Sequence, residues 1–212
     1  MLYSILYYIA LYAGLLPALL YFVSKKQKLC TEAIFPFLLL TALATLYEQI
    51  GTEWLQLNTS YWTQVYSLLE FVTIFYFYIS SLDKKYKIYF NVYRIVFILF
   101  YIYSFSYWSE QNALLAKTIN KTVISLLVFT ATFLWFKQLF EKVEIKNLWQ
   151  SADFYFVSGL FIYYASTFCL FILSSFLLET TSYFYDYWMI NVVATLFLRA
   201  LLSFGVWKMD KV

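Results

Sequence analysis

Three charged residues lie well inside long apolar stretches: Glu70, Arg94 and Arg199. At about 1.5 Å of rise per residue, Glu70 lies ~18 Å, Arg199 ~12 Å and Arg94 ~9 Å from the inner end of its segment. A charge at a membrane helix centre costs about 2.5–3.5 kcal/mol, so such residues face the bundle interior or a watery cavity. Glu70 and Arg199 are within reach of each other, whereas Glu70 and Arg94 need a longer span. Two readings stay open. One is a buried charged site with surplus positive charge that holds a ligand. The other is a structural ion pair, with the second Arg snorkelling to the cytoplasmic interface.

Polar residues line up with these charges at helical spacing. Asn191, Thr195, Arg199 and Ser203 recur every four positions. Thr63, Tyr66, Ser67, Glu70 and Thr73 share one face, and Asn91 sits one turn from Arg94 with Tyr101 two turns on. Lys117, Lys121, Ser125 and Thr132 share another. The candidate ligand or charge-pair centre is Glu70, Arg94, Arg199, Asn191 and Asn91. The Ser and Thr residues are read as interhelical hydrogen-bond partners. Tyr93, Tyr101, Tyr163 and Tyr164 are packing anchors first and a wall for a flat ligand second.

The groups that would break bonds are missing. There is no histidine, which removes His-based zinc sites, the Ser-His-Asp triad and axial haem ligation by His. No cofactor and no metal site is expected. Cys30 and Cys169 are far apart and lack metal-ligand spacing. Cys169, deep in a helix beside Ser166 and Thr167, has no accompanying base and is expected to be inert.

The elements that must position these residues follow from composition. The chain is 63% hydrophobic and 13% charged, too apolar for a water-soluble core with a polar shell. Its apolar runs are long and unbroken, which favours spanning helices over the alternating pattern of a barrel. The expected fold is an all-α polytopic transmembrane bundle, one domain over residues 1–212, with about seven spans. These run Leu2–Val23, Ala33–Ile50, Tyr61–Leu82, Ile88–Trp108, Ala113–Phe140, Phe154–Leu178 and Trp188–Trp207. The first lacks the preceding positive charges of a signal peptide and is read as a retained helix. Pro17 is expected to bend it, and the Ala10–Gly14–Ala18 run to form a close-packing face. With only four Gly and two Pro, broken helices are not expected.

Lysines cluster on alternate connections: Lys25, Lys26 and Lys28; Lys84, Lys85 and Lys87; Lys137, Lys142 and Lys146; Lys208 and Lys211. The positive-inside rule then places the N-terminus outside and the C-terminus in the cytoplasm of an inner (cytoplasmic) membrane. Lys117 and Lys121 are read as flanking one outer helix start, and Glu48 as lying near an outer end where water reaches it. Trp54, Trp62, Trp108 and Trp188 are expected to form an outer interfacial belt. The net charge of +3 reflects this bias and does not call for nucleic acid. Thr59-Ser60-Tyr61-Trp62 echoes Thr181-Ser182-Tyr183-Phe184, which would suit a 3+1+3 repeat.

The phrases Tyr61-Trp62 … Leu69-Glu70-Phe71 and Ser158-Gly159-Leu160 … Ile162-Tyr163-Tyr164 resemble a group of uncharacterised small multi-pass bacterial membrane proteins. The resemblance covers most of the chain, implies a polytopic helical fold and transfers no function. The expected role is a non-enzymatic membrane module, sensing a ligand or assembling with a membrane partner or further copies of itself. The alternative is a small carrier for an anionic or lipid-like solute, and an intramembrane enzyme ranks third.

Overall fold

The computed structural model describes residues 2–23, 33–109, 112–142, 147–180 and 184–209. Cys30, the lysines at 25, 26, 28, 146 and 211, and residues 181–183 of the sequence echo lie outside the described residues.

The described chain is almost wholly helical. In order come α1 (Leu2–Ala13), α2 (Leu16–Val23), α3 (Phe35–Leu46), α4 (Thr59–Ser81), α5 (Lys87–Ser104), α6 (Ala113–Lys142), α7 (Ala152–Thr180) and α8 (Phe184–Met209). A π-helical segment, Tyr47–Trp54, continues α3. Among the described residues, five stretches are long and apolar enough to cross a membrane: Tyr3–Val23, Lys84–Tyr107, Ala113–Lys142, Ala152–Ser174 and Asp186–Met209. The molecule is therefore a helical bundle with the composition of a membrane protein. The two remaining sequence segments fall on α3 with its continuation and on α4. α4 has 23 residues, about 34 Å of helix, but it carries Gln64, Ser67, Glu70 and Thr73 on a buried face.

The outside of the bundle is apolar as well. Along α5, Ile88, Val92, Ile95, Leu99 and Ile102 are all more than half exposed, at spacings of four and three that make one continuous apolar stripe. Such a stripe in water would be an aggregation liability, and in lipid it is at rest.

Inside, α7 makes its most extensive packing with α8, α6 sits between α7 and the α4–α5 pair, and α1 and α2 lie along α8. The core centres on Phe71, Ile74, Phe77, Val128, Phe156 and Leu160. Gly205 lets α8 close onto α7, because a Cβ there would run into the Phe156 ring. At one end of the bundle Lys85 pairs with Glu141 at 2.7 Å and Lys142 with Asp83 at 2.9 Å. Two of the lysine clusters seen in the sequence therefore share an end.

The first span is broken, contrary to the expectation of intact helices. Pro17 has no N–H to give the Ala13 carbonyl, and its ring clashes there, so α1 stops and α2 restarts with Pro17 in its first turn. The chain turns tightly between them, with Gly14 N–H donating to the Leu11 carbonyl at 3.1 Å. Ala10, Gly14 and Ala18 are all buried, as the small-residue run requires.

A candidate ligand site at the centre of the bundle

Glu70 lies eleven residues from either end of α4, so its carboxyl is carried to mid-height. It is 2% exposed and pairs with Lys121 of α6 at 2.5 Å. This corrects the expected partner. Lys121 is eight residues inside α6, ~12 Å from its start, and its side chain reaches inward from there. It is 1% exposed and is no flank of an outer helix end. Its ammonium stands 5.2–5.9 Å from the ring centroids of Tyr66, Tyr163, Tyr164 and Phe171, an aromatic cage that takes over part of the lost hydration. The other carboxylate oxygen, Glu70 Oε2, is buried beside the equally buried Tyr164 hydroxyl, and neither has another hydrogen-bond partner.

Beside this pair is a cavity of about 320 Å³. Glu70, Tyr66 and Thr63 of α4 form one wall, and Thr195 and Arg199 of α8 with Tyr163 of α7 form another. Thr41 lies on α3 and Glu48 and Thr52 on its π-helical continuation, while Lys117 comes from α6. Thr59, the first residue of α4, also lines it, so the space runs from the bundle's middle to the rim where α4 begins.

Arg199 shares this cavity with Glu70 but takes a different partner. Its Nη1 donates to the Leu11 carbonyl at 3.3 Å, at the end where α1 breaks off. A helix C-terminus offers unsatisfied carbonyls and negative dipole, so a cation is well placed there. The Thr45 hydroxyl shares its proton between the same carbonyl at 3.3 Å and the Thr41 carbonyl at 3.1 Å. Gly14 makes the contact possible: a Cβ would meet the Thr45 hydroxyl and lie 2.9 Å from the guanidinium carbon.

The π-helical widening re-aims the end of α3. Tyr47 stacks on Trp62 at 4.4 Å, and the Tyr7 hydroxyl donates to Glu48 at 2.5 Å. π segments recur at functional sites, where they redirect side chains. Glu48 is thus half-buried on the cavity wall. Trp62 lines the cavity as well, and Trp188 packs on Phe171, so these two turn inward from the expected belt.

The other sequence candidates lie elsewhere. Asn191 accepts from the Tyr163 hydroxyl at 3.5 Å, beside the site but not among the residues lining the cavity. Arg94 is exposed on α5 and Asn91 half-buried on the same helix, and neither lines the cavity. Arg94 fits the snorkelling alternative. Cys169 is free and exposed on the outside of α7.

Most Ser and Thr hydroxyls bond within their own helices. Ser67 donates to the Thr63 carbonyl, Thr195 to that of Asn191 and Ser203 to that of Arg199. The expected interhelical pattern is confined to pairs such as Thr118–Ser174 and Tyr78–Thr132. A further polar knot escaped the sequence. Buried Asn120 donates to Gln64 at 3.0 Å and to Ser104 at 3.2 Å, tying α6 to α4 and α5. Among the described residues, no three of His, Cys, Asp and Glu gather as a metal site.

Fold and cavity together define the class: a helical membrane bundle with a charged central cavity. No protein-family model, curated protein or solved structure matches the chain.

Proposed function

We propose that this is a non-enzymatic integral membrane protein that senses a small ligand at the bundle centre and passes its state to a membrane partner. The observation that carries the reading is the 320 Å³ cavity with Arg199, Lys117 and Glu70 on its walls. Buried ionisable groups in a membrane segment are functional candidates, and here they converge on a space of ligand size. The proposed topology has seven spans: α1 with α2, α3 with its π continuation, then α4 to α8. The N-terminus is outside and the C-terminus cytoplasmic in the inner membrane, so the rim at Thr59 faces outward.

A carrier for an anionic solute is the second reading. The break between α1 and α2, with its Leu11 carbonyl on Arg199, favours it, because carriers place discontinuous helices at midplane sites.

The test is purification in mild detergent, with analysis of co-purifying small molecules. Wild type retains a ligand that Thr63→Trp, which fills the cavity, does not. Equal recovery from both proteins contradicts the reading. The same ligand in a proteoliposome flux assay separates the roles: binding without flux is a sensor, and flux is a carrier.

A further inference from the structure

The cavity's charge balance defines a ligand class. Four formally charged residues line it: Glu48, Glu70, Lys117 and Arg199. Glu70 is already neutralised by Lys121. Lys117 and Arg199 then stand against Glu48 alone, one positive charge in excess. Low-dielectric walls focus the field of this excess charge into the space, so it is best matched by a single negative charge. A dianion would overshoot, and a cation would double the excess.

The two cations have room for such a guest. Arg199 gives one N–H to Leu11, and its other donors have no protein acceptor among the described residues. The planar fork suits a carboxylate. Lys117 has no carboxylate within ion-pairing distance among the described residues, and its ammonium rests 5.5 Å and 5.7 Å from the Phe171 and Trp188 rings. It lies four residues into α6, nearer the rim than Lys121, where it attracts an incoming anion.

Glu70 leaves this balance unchanged: Lys121 neutralises it, and its Oε2 is buried beside the Tyr164 hydroxyl, closed off from the cavity. We infer that the cavity takes a small organic carboxylate of single negative charge, its carboxylate on Arg199. This rests on the proposal that the cavity is a ligand site.

The experiment follows the thermal midpoint of the full-length protein in mild detergent with millimolar probes of matched body. These are mandelate, phenylacetate (the same acid without the hydroxyl), phenylsuccinate (a dianion), benzylamine and benzyl alcohol. A clear rise is expected with mandelate and with phenylacetate, and none with the rest. Arg199→Gln should weaken the mandelate response by roughly tenfold or more, the loss of a charged hydrogen bond. Arg199→Lys, which keeps the charge, serves if the Gln variant does not fold, and it should weaken the response by losing the fork.

Several results overturn the inference: no response to either monoanion, an equal response to the dianion or amine, or a mandelate response unchanged in both Arg199 variants. A response to benzylamine or benzyl alcohol that Thr63→Trp abolishes would sink the carboxylate while leaving the ligand site intact. Silence from every probe, with Thr63→Cys unreachable by a water-soluble thiol reagent, would remove both.

Discussion

Lys121 reaches the centre of the bundle because Glu70 is there to meet it. Removing one partner strands the other in a medium that solvates neither, a loss of about 3–5 kcal/mol. Glu70→Gln and Lys121→Met should each lower the thermal midpoint sharply. The double variant should be much less damaged than the sum, because no charge is left stranded. A thermal double-mutant cycle checks this, and additive losses would mean that the pair does not couple. The parallel cycle of Glu70 with Arg199 should show the weaker coupling, since Arg199 is held by the Leu11 carbonyl. In the sequence Glu70 and Arg199 were legible as buried charges by depth alone. Lys121 was missed because its neighbour Lys117 made both look like interfacial lysines. The same depth count places Lys121 ~12 Å inside its helix, on one face with Ser125 and Thr132, and that was the available signal. Which charge pairs with which was not legible, since it depends on helix rotation and neighbour order.

Helices α1 and α2 show how an element can be bent to serve a side chain. Pro17 announced a bend, but the full break, and its use as an Arg199 cap, needed Gly14 opposite Thr45. Gly14→Ala should cost about 1–3 kcal/mol of overpacking, because the guanidinium and the Thr45 hydroxyl must give way. It should also weaken mandelate binding, by displacing Arg199. Gly205→Ala makes the contrasting case: its Cβ meets a fully buried ring, so stability falls while the ligand response of the folded fraction is kept. Thermal melts with and without mandelate separate the two. The π segment had no legible cause in residue type. It is fixed by what it reaches: Tyr47 on Trp62, and Glu48 under the Tyr7 hydroxyl.

Over the whole molecule, composition and run length dictated an all-helical membrane bundle, and the apolar stripe of α5 carries that pattern to the outer surface. Orientation rests on lysines, several of them outside the described residues, and is tested by reporter fusions. Fusions after Lys28, Lys87, Lys146 and Val212 should all report the cytoplasm, and a periplasmic signal at Val212 would refute seven spans. Replacing Cys30 and Cys169 with Ser should leave the thermal midpoint nearly unchanged, since Cys169 is free on the outer face of α7.

That Cys-free protein permits the most direct test of the central claim, that the charged cavity is open to water from outside. Single cysteines at Thr63, at Leu99 on the apolar stripe and at Ile74 in the core are exposed to a membrane-impermeant thiosulfonate applied to the outer face. Rapid modification of Thr63→Cys, slowed by mandelate, with Leu99→Cys and Ile74→Cys unreactive, is the predicted result. A Thr63→Cys protein as unreactive as the Ile74→Cys control would contradict the account.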